Sequence, residues 1–196
     1  MDGSMTMGGA LGVRVNRAER APLGWKLRNL RHVVPGLVQD RIARACGMNH
    51  MAARLYAVKH GADGRVVNYG LIGTQKITTA FCEFMVDQLQ TETSAWGDFK
   101  YHDSGVGTTG EANGDTDMET TDGESRATGT QTEGTSVQYV SVGTISYTTT
   151  KAITEHGLFN DASAGTLMDR TVFAAINVVS GDSITFTYTL TATAGG

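Results

Sequence analysis

The clearest pattern in the chain lies near its end. From Ser183 to Thr193, Ile184, Phe186, Tyr188, Leu190 and Ala192 alternate with Thr185, Thr187, Thr189, Thr191 and Thr193. A period of two puts the apolar set on one face of a β-strand and the threonines on the other, so one face is buried and one exposed. Ser180-Gly181-Asp182 supplies the turn before it. Alternation at Val137, Tyr139, Ile145 and Tyr147, together with the runs 152–159 and 170–179, predicts three further strands. Upstream, the β-rich runs Arg54–His60 and Arg65–Ile72 flank Gly61-Ala-Asp-Gly64, the signal of a hairpin. Asp98–His102 reads as a short strand. Thr78 or Thr79 can cap a helix from Ala80 to about Gln90, with Phe81, Phe84, Met85, Gln88 and Leu89 along one side. That stripe suits the face of a sheet.

The first 50 residues behave differently. Leu23, Trp25, Leu27, Leu30, Val33 and Val34 are scattered and follow neither period. A short helix is expected from Leu37 to Cys46, with Leu37, Val38, Ile42 and Ala45 on one side, Pro35-Gly36 at its start and Gly47 at its end. The remainder of 1–50 reads as an extended arm, and 51–196 as one antiparallel β-sandwich of jelly-roll or Greek-key type carrying the helix at 80–90. Residues 105–134, rich in Gly, Thr, Asp and Glu, read as a long loop or weak edge strands.

Charge sharpens the division. Residues 1–60 hold ten Lys and Arg against three Asp and Glu, whereas the remaining 136 hold six against seventeen. A basic end of this kind meets a partner of opposite sign. Arg14, Arg17, Arg20, Lys26, Arg28 and Arg31 are the candidate contacts, with Trp25 as the anchor that fills a partner's pocket. No run of about 18 apolar residues is present, and Met1–Gly12 has neither the basic nor the apolar region of a secretory signal. Cys46 and Cys82 lack partners at metal-ligand spacing and are expected as buried or half-buried free thiols.

Catalytic chemistry finds little support. Tyr101-His-Asp-Ser104 contains the residue types of a hydrolase triad, yet neighbours on a strand point to opposite faces. His156 beside Glu155 is the other candidate pair, and both histidines are expected to be hydrogen-bonded at strand ends. The acids Asp103, Glu111, Asp115, Asp117, Glu119, Asp122 and Glu124 lack the spacing of a calcium loop. Phosphate-binding and zinc-protease motifs are missing, and the basic region has no recognisable nucleic-acid module. No enzyme, metal or cofactor is expected.

Several motifs in order resemble a family of tailed-bacteriophage virion proteins. They are the stretch Tyr101–Thr116 (YHDSGVGTTGEANGDT), Arg126–Thr132 (RATGTQT), Ile153–Phe159 (ITEHGLF), Leu167–Arg170 (LMDR) and Val172–Ile184, followed by the Thr-rich strand. The resemblance covers roughly residues 65–196 and leaves the first 50 out. It implies a virion structural protein with no catalytic residue to carry over. The expectation is a capsid decoration, or cement, protein on the capsid exterior. It would bind and stabilise neighbouring major capsid subunits through its N-terminal arm and form a homotrimer, with neither membrane nor direct nucleic-acid contact. The alternative is a tail- or fibre-associated structural protein.

Overall fold

The computed structural model describes residues 18–48, 50–90 and 99–193. Over these residues the protein is mainly β, with two helices. In chain order the elements are β1 (Glu19–Arg20), α1 (Leu23–Ala45), β2 (His50–His60), β3 (Val66–Ile77), α2 (Thr79–Gln90) and β4 (Tyr101–Gly105). There follow β5 (Ala127–Thr128), β6 (Thr130–Thr135), β7 (Gln138–Ser146), β8 (Lys151–Phe159), β9 (Leu167–Val178) and β10 (Ser183–Thr193).

The strands pair in the order β5-β4-β8-β9-β3-β2-β10-β7-β6, all antiparallel along this path, while β1 adds a short parallel pairing to β3. Six strands form a mixed sheet and four an antiparallel one. The two ends of the path, β5 and β6, are neighbours in sequence across Gly129, so the backbone itself joins the outermost strands. The two sheets enclose one core, in which Leu55, Ile72, Ile184, Phe186 and Tyr188 of one meet Ile153, Leu158, Phe173 and Ile176 of the other. The rings of Phe173 and Phe186 lie 6.3 Å apart across it. The alternation expected of β10 holds where it matters, since Ile184, Phe186 and Tyr188 are fully buried. The β2–β3 hairpin and the helix after Thr78 also form as the pattern predicts. Thr78 caps α2, its Oγ1 accepting from Phe81 N–H at 3.2 Å and donating to Leu167 O.

The N-terminal reading needs correction. Residues 23–45 form one 23-residue helix, not an arm ending in a short helix, and Pro35-Gly36 lie within it. The start is set by Pro22, whose carbonyl accepts from Lys26 N–H. The end was legible. Gly47, at φ 66°, donates to Arg44 O while Met48 donates to Ala43 O, the paired bonds of a Schellman cap. A proline inside a helix costs about 3 kcal/mol in isolation, and packing offsets it here. β3 and β9 pair only at Lys76–Arg170 and Ile77–Asp169. Beyond that point α1 takes up the backbone groups that the two strands no longer share. Asn29 donates from Nδ2 to Ile72 O at 2.8 Å and accepts from Ala174 N–H at 2.9 Å. Trp25 donates from Nε1 to the carbonyls of Ala174 and Ala175, each at 3.0 Å. Thr74 Oγ1 donates to Val33 O at 3.0 Å beside the proline. α1 is a wedge closing the split between two strands, and it belongs to the same core as the sheets.

The acidic stretch is more built than a solvated loop. Glu155 is fully buried and accepts from the backbone N–H groups of Gly107, Glu119 and Thr120 and from Arg170 Nε at 2.7 Å. Arg170 in turn reaches Asp115 at 3.0 Å and Glu119 at 3.3 Å. Beneath the loop Met118 packs with Phe159 and Leu167 in a small second core.

Candidate partner-binding surface

A helix seated on a sheet normally buries one stripe and exposes polar residues opposite. α1 does not follow this rule. Its inner side, Trp25, Asn29, Val33 and Ala43, is buried. Its outer side is also apolar: Leu23 is 72% exposed, Leu27 60%, Leu30 50% and Ile42 55%, with Val34, Leu37 and Val38 exposed among them. Along 1.5 Å per residue this stripe runs for roughly 30 Å. Arg28, Arg31, Arg41 and Arg44 are exposed around it and Lys26 is half-buried. The acid on this helix, Asp40, is turned toward β2. It accepts from Arg44 at 2.9 Å and His50 at 2.6 Å, and pairs with Arg54 at 3.2 Å. Burial opposes ionisation of Asp40, but the bonds from Arg44 and His50 prevail and hold its carboxyl below the usual range. That bond to Asp40 raises the His50 imidazole above its ordinary value. An apolar ridge bordered by cations therefore lies on a helix that is fixed from below.

The residues expected to contact a partner divide on this geometry. Arg28 and Arg31 border the ridge, with Lys26 beside them. Arg20 stands on β1, exposed, next to the start of the helix. Arg14 and Arg17 lie outside the described residues. Trp25 is not the partner anchor it was expected to be. It is 5% exposed, its N–H is used by β9 and its ring packs edge-on against Tyr69 at 4.7 Å. The leucines that do face outward do not stand out as a set in the sequence. Their spacing was present in the sequence, but the inner stripe interleaves with it and together they look patternless.

The residues tempting for chemistry form a closed interior network. His102 Nδ1 and His156 Nε2 lie 2.9 Å apart, and His102 Nε2 is 2.8 Å from Ser141 Oγ. All three residues are completely buried, which places the histidines between the sheets and not at strand ends. Burial drives the pKa of His102 down to about 3, and burial with the neighbouring ring drives His156 well below the usual range. A serine and two imidazoles in line carry the bonding of a nucleophile and base, yet no substrate atom can reach them without opening the core. Ser104 Oγ donates to Asp122 at 2.5 Å, and Asp103 pairs with Arg126 at 3.0 Å. His50 has both ring nitrogens engaged, by Asp40 and by the Met48 carbonyl.

Among the described residues no group of His, Cys, Asp and Glu has the arrangement of a metal site, and no described helix is long and apolar enough to cross a membrane. Cys46 and Cys82 are free but exposed, contrary to the burial expected of them. The chain matches no protein-family model, no curated protein and no solved structure.

Proposed function

We propose that this chain is a structural component of a tailed-phage virion, a decoration protein that binds neighbouring capsid subunits through the outer face of α1. The observation that carries the proposal is the exposed Leu and Val ridge bordered by arginines. An apolar surface of this extent on a rigid element marks an interaction site. The ordered motifs from Tyr101 to Thr193 support a virion role by their resemblance. The facing sheets and the antiparallel path support a sandwich of jelly-roll or Greek-key type as the body. In this reading the binding element is a preformed helix. An extended arm would have to be ordered at about 1–2 kcal/mol per residue on docking, and a folded helix avoids most of that cost. A homotrimer would form through the threonine face of β10 and leave α1 free for the capsid.

Quantifying the protein in purified particles tests this directly. A decoration protein is present in numbers comparable to the capsid subunits and is seen on the capsid exterior by cryo-electron microscopy. A handful of copies at the tail would replace this reading with a tail-associated one, and absence from particles would remove both.

A further inference from the structure

The outer face of α1 carries a register as well as an apolar surface. Leu23, Leu27, Leu30, Val34 and Leu37 are separated by four, three, four and three residues, and all five are exposed. This is the spacing at which side chains of one helix seat between those of another. On the helical repeat so defined, the positions flanking the seam hold Lys26 and Arg31 together with uncharged Gly24, Val33 and Val38 and the acid Asp40, and Arg41 takes the next seam position itself. Pro35 stands off the seam, so its ring does not block an approaching helix. Asp40, the acid of this helix, is already engaged by Arg44, His50 and Arg54.

We infer that this face receives an amphipathic helix of a partner protein, apolar along its seam and acidic along its flanks, laid on α1 as a two-helix coiled coil. The inference rests on the virion reading and gives the partner its chemistry. Charge decides among the possible occupants. A second copy of α1 would bring Lys26 and Arg31 against like charges, with no unengaged acid to answer them. An anionic bilayer would attract the arginines but repel the rest of the chain, where seventeen acids face six bases over residues 61–196. An acidic helix satisfies both the seam and its border.

The test uses the full chain and a labelled synthetic peptide of three heptads with Leu at the seam and Glu at the flanks. A second peptide carries Lys in place of Glu. The acidic peptide is expected to bind and the basic one not, with the affinity falling as salt is raised. Leu27→Glu with Leu30→Glu should weaken binding at least tenfold and leave the melting temperature unchanged, because both side chains are exposed. Lys26→Glu with Arg31→Glu should reverse the preference toward the basic peptide. Four results overturn the inference. The first is no discrimination between the peptides. The second is capture by phosphatidylserine vesicles in place of the peptide. The third is self-association that the leucine variant abolishes. The fourth is a fall in melting temperature in that variant, which would mean that the chain covers this face itself. Particle association is scored separately. A chain present on particles that ignores the acidic peptide removes this inference alone, and a chain that binds the peptide but is absent from particles removes the virion reading alone.

Discussion

His102 and His156 share a hydrogen bond inside the core, and the consequence for stability has a definite sign. Both pKa values are lowered on folding, so neither ring carries a proton in the native state near neutrality. The unfolded chain binds protons on both once the pH falls below about 6.5. Stability is therefore complete above that pH and is lost as the pH drops toward about 3, the value to which His102 is depressed. His102 contributes a slope of about 1.4 kcal/mol per pH unit within this window, and His156, depressed in the same direction, adds to it. Urea unfolding at pH 7, 6 and 5 should show a steep decline that flattens in His102→Gln. An equal slope in the variant would mean that other groups govern it. Asn29 gives a second test at this scale. Asn29→Ala leaves the Ala174 N–H and the Ile72 carbonyl without their partner, and should cost about 2–4 kcal/mol in chemical denaturation.

Among the elements, α1 is held by close approach as much as by burial. Gly36 lies against Thr74 of β3, and a Cβ at that position would overlap the threonine hydroxyl and its Cβ. Gly36→Ala, stabilising in an exposed helix, should here lower stability by about 1–3 kcal/mol. Gly36→Ala with Thr74→Ser, which removes the methyl but not the overlapping atoms, should recover little of it. The helix's far end is tied by Asp40 to His50 of β2. Since the bond raises the pKa of His50, the clamp is fully formed below about 6.5 and is lost as the pH rises through the raised value. The protection factors at the last turn of α1, taken against the intrinsic exchange rate at each pH, should therefore fall on the alkaline side and become insensitive to pH in His50→Gln.

For the molecule as a whole, two devices replace what the sheets alone do not provide. α1 closes the split between β3 and β9, and the buried Glu155–Arg170 pair organises the acidic stretch above the small core of Met118, Phe159 and Leu167. Removing one member of a buried pair leaves the other charge uncompensated, at about 3–5 kcal/mol. Arg170→Met should therefore release residues 106–126 to protease while β2, β3 and β10 stay protected from exchange. Uniform loss of protection would show that loop and sheets unfold as one unit. Deleting residues 1–48 should unfold the protein, because Trp25 and Asn29 leave with α1. A folded, soluble product would show that the sheets are self-sufficient.

The longer strands were legible because each is written locally, whereas β1 and β5 carry no pattern of their own and β4 forms at Tyr101–Gly105, later than the run 98–102 suggests. In β10 Ile184, Phe186 and Tyr188 meet the core at every second position, and the hairpin between β2 and β3 announces its own turn. The cap at Thr78 and the stop at Gly47 are equally local. The pattern of α1 is obscured for a physical reason: a helix wedged into a sheet on one side and apolar on the other carries two overlapping stripes, and their sum has no visible period. Pro35 obscures it further, since a proline normally starts or breaks a helix and only packing against β3 and β9 offsets its cost. The candidate contacts were half legible. The excess of arginine in the first 60 residues marked the right region, but which of its apolar residues face outward depends on where β9 stands, 145 residues away from Asn29. Local sequence specifies the longer strands, the turns and the polarity of charge. The tertiary structure decided that Trp25 belongs to the core and Leu27 to the surface, because that choice is made by a backbone the local sequence does not contain.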